Sequence, residues 1–285
     1  MFAITGITGQ VGGALARTLL AQGKPVRAVV RDAAKGGPWR ARGCEVALAD
    51  IGDATALAQA FRGCEGVFLL LPPTFDPSPD FSEAAGTIAA MRAALLEAQP
   101  GRVVVLSTIG ARAAHTNLLS QLGMLEAAMA DLPMPVTVLR PGWFIENLVW
   151  DIPAARERGE IESLLQPLDR AVPMVATEDV GRTAAELLLE ATTQQHRVVE
   201  LEGPQRLSPA DLAAALSRAL GKSVHAVVVA REQWETRFHA QGMRNPQPRM
   251  RMLDGFNEGW IAFEGATRQG SVTLDKVLAT LLASD

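Results

Sequence analysis

Met1-Phe-Ala-Ile-Thr-Gly6-Ile-Thr-Gly9-Gln-Val-Gly12 opens the chain. A short apolar strand, Phe2 to Thr5, runs into a turn with glycine at every third position. An amphipathic stretch follows, with Val11, Leu15 and Leu19 on one stripe and Gly23 as its stop. Each glycine has its own physical use. One permits the tight turn, one lets the backbone approach phosphates, and one allows close packing of helix on strand. A helix starting near Gln10 aims its unpaired N–H groups and the positive end of its dipole into that turn. Strand, turn and helix in this order predict a dinucleotide pyrophosphate held by Gly6, Thr8, Gly9, Gln10, Val11 and Gly12.

The rest of the first half keeps the same rhythm. Strands are expected at 25–30, 45–48, 67–71, 102–106 and 136–139. Helices are expected at 53–61, 82–98 and 118–130, with Asp53 as an N-cap. Alternation of this kind implies a parallel sheet with right-handed crossovers. The predicted fold is therefore α/β: a Rossmann-type, doubly wound parallel sheet with a smaller C-terminal α/β substrate lobe. Residues 1–150 form the nucleotide domain, 177–202 return to it, and 151–285 are mainly the lobe. Within the second half, 143–150 reads as a short helix and 151–176 as irregular. Thr177 reads as the cap of a helix, 197–201 as a strand, and Ser208-Pro209 as a capped helix start. A strand at 224–229 and helices at 232–241 and 274–282 complete the expectation.

Composition narrows the function. The 285 residues carry a net charge of -4 and no basic run, which argues against nucleic acid as the main ligand. The longest apolar runs, such as 66–71, fall far short of the roughly 18 residues of a membrane span. No cationic and apolar leader precedes the first strand, so a cytoplasmic protein is expected. Cys44 and Cys64 read as buried free thiols. His196, His225 and His239 have no metal-ligand spacing with each other or the cysteines, so no metal is expected.

At the end of the second strand stand Arg31 and Asp32, with Lys35 close behind. A carboxylate there favours NAD(H) through the ribose hydroxyls. An arginine there pairs with the 2′-phosphate of NADP(H), and the arginine and lysine favour that cofactor. Asp50, after the third strand, either contacts the adenine amino group or turns the chain into Asp53. Beyond the other strand ends lie Leu71 and Pro72, which fall to the cofactor, then Phe75, Ser107, Thr108, Trp143, Phe144 and Asn147. The aromatics form a wall for a flat substrate or pack the lobe on the sheet. Ser107, Thr108 and Asn147 donate to a substrate oxygen or cap local structure. His115 supplies a proton near neutral pH or is a solvated loop residue. Trp234, Phe256 and Trp260 read as lobe core.

Thr5-Gly-Ile-Thr-Gly-Gln-Val-Gly12, Val26-Arg-Ala-Val-Val-Arg31-Asp-Ala-Ala-Lys35, Val104-Val-Leu-Ser107-Thr108 and Leu139-Arg-Pro-Gly142-Trp-Phe144-Ile-Glu-Asn147 together resemble the NmrA-like branch of the atypical short-chain dehydrogenases. Glu178-Asp-Val-Gly181 and the stretch from Gly255 to Phe263 resemble its C-terminal lobe. Within the branch the chain looks most like small NADPH-dependent quinone and dye reductases. The resemblance implies an NADP-binding Rossmann domain with a substrate cleft. It also implies a lysine acid for relatives that reduce lignan-type or isoflavone-type substrates, and no lysine lies between 36 and 221 here. The chain has no tyrosine, so a Tyr-x-x-x-Lys pair is excluded. An alcohol–ketone reaction needs such an acid, worth about 10²–10⁴-fold. Hydride addition to a quinone yields a phenolate, of conjugate pKa about 10, which water protonates. The expected function is NADPH-dependent reduction of a quinone-like or conjugated planar acceptor. The alternative is a non-catalytic NADP(H) sensor docking on another protein, as some members of the branch do.

Overall fold

The computed structural model of the protein describes residues 1–192 and 194–283. The first half runs β1 (Phe2–Ile4), α1 (Gln10–Ala21), β2 (Val26–Val30), α2 (Ala33–Ala41), β3 (Glu45–Leu48), α3 (Ala54–Phe61), β4 (Gly66–Leu70), α4 (Ser82–Ala98), β5 (Val103–Leu106), α5 (Ser120–Met129) and β6 (Val136–Pro141). The second half runs β7 (Trp143–Phe144), a 3-10 segment Ile145–Trp150, α6 (Ile152–Arg158), β8 (Glu160–Ser163), β9 (Met174–Val175), α7 (Thr177–Leu189), β10 (His196–Glu202), α8 (Pro209–Leu220), β11 (His225–Val228), a 3-10 turn Arg231–Gln233, α9 (Trp234–Ala240), α10 (Gln247–Glu258), β12 (Thr267–Gln269) and α11 (Leu274–Ala283).

Among the described residues the main sheet has eight strands in the order β12-β10-β6-β5-β4-β1-β2-β3, all parallel. Strands β4 and β5 are apolar throughout because both their faces are covered. One face packs against α3, α4 and α5, the other against α1, α2 and α7. Helices α1 and α7 cross very closely. A Cβ on Gly181 would lie 2.5 Å from the Ala14 Cβ and 2.7 Å from the Val11 carbonyl oxygen, so only glycine fits. Two further two-stranded sheets are β11-β8 and β7-β9, and a third apolar cluster includes Trp234, Phe238 and Phe256. No described helix is long and apolar enough to cross a membrane. Cys44 and Cys64 are buried free thiols, and burial pushes both above the ordinary thiol range.

Several expectations need correction. Helix α2 was not legible, since Ala-Ala-Lys-Gly-Gly-Pro-Trp-Arg-Ala has two glycines and a proline, all poor helix formers. Tertiary packing overrides propensity there. Trp39 is buried, Gly36 lets the helix sit against Val46, and the Asp32 carboxylate caps it by accepting from the Ala34 N–H at 2.8 Å. Residues 143–150 are not one helix, because Trp143 and Phe144 pair with Met174 and Val175. Residues 151–176 are not irregular throughout, since they hold α6, β8 and β9. Thr177 is not the cap of α7. Its N–H and its hydroxyl both donate to Glu146 Oε1, at 2.8 and 2.7 Å, so a side chain distant in sequence caps the helix. The expected 232–241 helix begins as a 3-10 turn. Helix α10 and strand β12 lie outside the expected elements, although Pro248 suits the first turn of α10. The Ser208 capping box is present, with Asp211 as its acid.

Asp151 joins the 3-10 segment to α6. Burial pushes its carboxyl up to about 6, and Glu162 on β8 adds to this. An acid with a higher pKa folded than unfolded binds its proton more tightly in the native state. Its stabilisation is present at low pH and is lost as pH rises from about 4 through about 6. Asp151→Asn is expected to raise stability by on the order of 2–3 kcal/mol at about pH 7.5 and by nearly nothing at about pH 4. Urea unfolding at both pH values checks this, and an equal gain at both would remove the explanation.

Candidate active site

Strand order reverses between β1 and β4, so the crevice beyond the strand ends opens there. Thr5 ties the two strands together up to the turn. Its hydroxyl donates to the Phe68 carbonyl at 3.1 Å and accepts from the Leu70 N–H at 2.9 Å. Gly6 follows with φ of +63°, and the Gly9 N–H donates back to its carbonyl at 3.0 Å. Thr8, Gly9 and Gln10 are exposed at the mouth, whereas Val11 and Gly12 are buried beneath it. A Cβ on Gly12 would lie 2.3 Å from the Gly6 oxygen. Gly12 is therefore the packing glycine, and a Cβ on Gly9 would meet only the Gly6 oxygen at 3.4 Å. Helix α1 has no side-chain cap and no acid in its first turn, so its leading N–H groups are unspent. The turn suits a diphosphate.

At the β2 end, Arg31 and Lys35 are exposed and have no ion-pair partner among the described residues. Asp32 is occupied as the α2 cap. Asp50 accepts from the Gly52 N–H at 2.9 Å, and Asp53 then caps α3 through the Ala56 N–H at 3.0 Å. The Asp50 carboxylate thus shapes the turn into α3.

The ends of β5 and β6 hold a buried ionic network. The Ser107 hydroxyl donates to Glu126 Oε1 at 2.5 Å. Arg140 forks onto the same carboxylate, Nε to Oε1 at 2.8 Å and Nη2 to Oε2 at 2.7 Å. Its Nη1 donates to Glu264 at 3.0 Å and lies 3.6 Å from Glu200. Glu200 in turn accepts from the Glu264 and Gly265 N–H groups. The Glu126 hydrogen bonds hold the Arg140 guanidinium protonated well above its ordinary range. Of the two expectations for Ser107, the structure shows a local engagement: its hydroxyl donates to Glu126 and the residue is 5% exposed. Thr108 is half-buried beside it.

The remaining candidates are dispersed around the crevice. Leu71 is buried and Pro72 exposed at the β4 end, and Phe75 is largely exposed. The loop carrying them is tied across the cleft. Thr74 accepts from Gln121, and Asp76 accepts from the Arg244 and Asn245 N–H groups. His115 is exposed and meets Trp260 edge-on at 5.1 Å, while Trp260 also packs against the apolar cluster of Trp234, Phe238 and Phe256, as expected. Trp143 packs edge-on against Phe256 at 5.3 Å, and Phe144 packs against the α1–α7 side of the sheet. Asn147 is exposed. Glu126, Arg140 and Glu146 went unnoticed in the sequence. A lone acid in the apolar helix Ser120–Met129 and an arginine ending an apolar strand were the available signals. Glu146 also keeps its Oε2 sealed and unpartnered, and burial pushes its carboxyl above the ordinary range.

A family model described as the NmrA-like family matches residues 1–245. The chain is 32% identical over 249 residues to NAD(P)H azoreductase of Xenophilus azovorans, covering 85% of this chain and 82% of that protein. It is 30% identical over 226 residues to quinone oxidoreductase 2 of Escherichia coli (strain K12), covering 79% and 76%. Among solved structures, an NADPH-dependent quinone oxidoreductase from Escherichia coli complexed with NADPH superimposes with a TM-score of 0.83 at 26% identity, over 99% of this chain and 100% of that one. A family model matched over residues 1–245, with relatives aligned over most of the length, leads to one conclusion: the chain belongs to the NmrA-like family.

Proposed function

We propose that the protein reduces a quinone-like or conjugated planar acceptor by direct hydride transfer from NADPH. The chain is an NAD(P)H-dependent oxidoreductase of the quinone and azo reductase type. The observation that carries the finer reading is the state of the hydride end. No tyrosine exists in the chain, no lysine lies between 36 and 221, and the Ser107 proton is held by Glu126. A reaction needing a strong positioned acid has no donor among these groups. A reaction whose product is a phenolate or similar stabilised anion needs only orientation and exclusion of water. Nicotinamide supplies the hydride when bound. The turn from Gly6 to Gly12 holds the diphosphate, and residues 1–150 with 177–202 carry the cofactor while the rest shapes the acceptor site. In this reading Thr108, His115, Trp143, Phe144, Asn147 and Phe75 surround the acceptor, with His115 available to protonate the product anion.

The test mixes pure protein, NADPH and a panel of quinones and azo dyes, following loss of reduced-nicotinamide absorbance. Turnover supports the reading. Tight NADPH binding without turnover on any acceptor would favour a nucleotide sensor instead. For cofactor choice, Arg31 and Lys35 lie unpaired at the β2 end while Asp32 is engaged by α2, which supports NADP(H) over NAD(H). Arg31→Ala is expected to weaken NADPH by about 10–100-fold and NADH by less than about twofold, from the loss of charge-assisted bonds to the 2′-phosphate. Calorimetric titration of both cofactors checks it, and equal losses would remove the assignment.

A further inference from the structure

Arg249 is a partly buried cation with no counter-ion. Its guanidinium carbon stands 4.7 Å from the Phe238 ring centre, and Nη1 lies 3.8 Å from the Met243 sulfur. No carboxylate among the described residues pairs with it. Every other arginine that is not fully exposed donates to an oxygen in the fold. Holding a guanidinium out of water without such a partner is costly. Burial alone also lowers the readiness of Arg249 to carry its proton. Two of its nitrogens are not sealed. The described side chains contain one sealed, unpartnered polar atom, and that atom belongs to Glu146. Nε and Nη2 of Arg249 therefore keep an opening to solvent.

The position of Arg249 links it to the cleft. The neighbouring Pro248 carbonyl accepts from the Leu118 N–H at 2.9 Å, at the head of α5. Asn245 donates from its N–H to Asp76 at 2.7 Å and from its side chain to the Pro77 carbonyl at 3.0 Å. The start of α10 is thus fastened to both loops that leave β4 and β5. Two turns further on, on the same helical stripe, Phe256 meets Trp143. Arg249 also has no acid near it in the first turn of its helix. A fork of N–H donors framed by an aromatic ring and a thioether, on the segment fastened to the loops beyond β4 and β5, matches an oxyanion carried on an apolar body.

We propose that Arg249 anchors an oxyanion substituent (sulfonate, carboxylate or phosphate) on the planar acceptor. The proposal rests on the reductase reading for the identity of the ligand as substrate. The probe pair is naphthalene-2-sulfonate and its neutral analogue naphthalene-2-sulfonamide, titrated by calorimetry into the full-length protein. The sulfonate is expected to bind at least about tenfold more tightly than the sulfonamide, from charge-assisted bonding. Arg249→Met should erase that advantage and Arg249→Lys should keep part of it. The Met variant should melt no lower than the wild type, because an unpaired cation has been removed. Equal binding of the two probes, or an advantage that survives in both variants, would overturn the proposal. Inorganic phosphate binding as tightly as the sulfonate would also overturn it, in favour of a free-anion site. A kinetic arm separates the two readings. Wild-type preference for 1,4-naphthoquinone-2-sulfonate over 1,4-naphthoquinone should fall about tenfold in Arg249→Met while turnover of the neutral quinone holds. Unchanged preference with both quinones reduced defeats the anchor alone. No reduction of either by the wild type defeats the reductase reading and the substrate role of the anchor with it.

Discussion

Gly9→Val is expected to leave the fold standing and to abolish useful nucleotide binding. The backbone has room for the change, since a Cβ at Gly9 would meet only the Gly6 oxygen at 3.4 Å, and its φ of -90° suits any residue. Losing glycine at this N-cap costs about 1 kcal/mol at most. The methyl groups would instead fill the exposed mouth, beside the leading N–H groups of α1 to which the proposed function assigns the phosphate oxygens. Losing two charge-assisted bonds, each about 1.5–3 kcal/mol, weakens binding by roughly 100-fold or more. Gly12→Ala makes the contrast. Its Cβ would sit 2.3 Å from the Gly6 oxygen and 2.9 Å from the Ile7 Cα, so the whole turn must move. That variant should lose stability as well as nucleotide. Thermal melting beside calorimetry with NADPH distinguishes the two. A Gly9→Val protein that still bound NADPH at wild-type strength would refute the phosphate assignment of the turn.

The second large effect concerns Glu126. Glu126→Ala strands the buried Arg140 guanidinium with one donor arm on Glu264 and two arms empty. Removing one partner of a buried ion pair costs about 3–5 kcal/mol. For a chain of this size that lowers the melting temperature by on the order of 10 °C. Replacing both partners together, with Glu126→Leu and Arg140→Met, should cost less than the two single changes summed, because the pair leaves together while Glu200 keeps the Glu264 and Gly265 N–H groups. Urea unfolding of the two single variants and the double variant measures the coupling. A Glu126→Ala protein as stable as the wild type would mean that the pair is already hydrated. The variant also frees the Ser107 hydroxyl, so any gain in reduction of ketone-like acceptors would show that Glu126 withholds that proton from the cleft.

The parts legible in the sequence were those written locally. The glycine spacing, the amphipathic stripe of α1, the apolar runs of β4 and β5 and the Ser208 capping box each lie within a few residues of one another. Helix α2 was hidden because its support comes from Val30 and Val46 across the sheet rather than from its own composition. The α7 cap was assigned to Thr177 because a threonine in that place is the usual local solution. Glu146, more than thirty residues earlier, supplies the acceptor instead. Ser107 illustrates the same limit at the site. A serine after a strand reads either as a donor to substrate or as a local cap, and only the folded chain shows Glu126 against it.

The nucleotide turn and the lack of tyrosine were decided by the sequence alone, since a main-chain diphosphate site needs only small residues at fixed spacing and an absent side chain cannot be restored by folding. Tertiary structure decided which charges are spent and which are free. Asp32 went to a helix, Ser107 to Glu126, and Arg249 was left without a counter-ion. Ion pairing and desolvation depend on distance in space, and residues far apart in the chain meet only when the sheet and lobe have assembled.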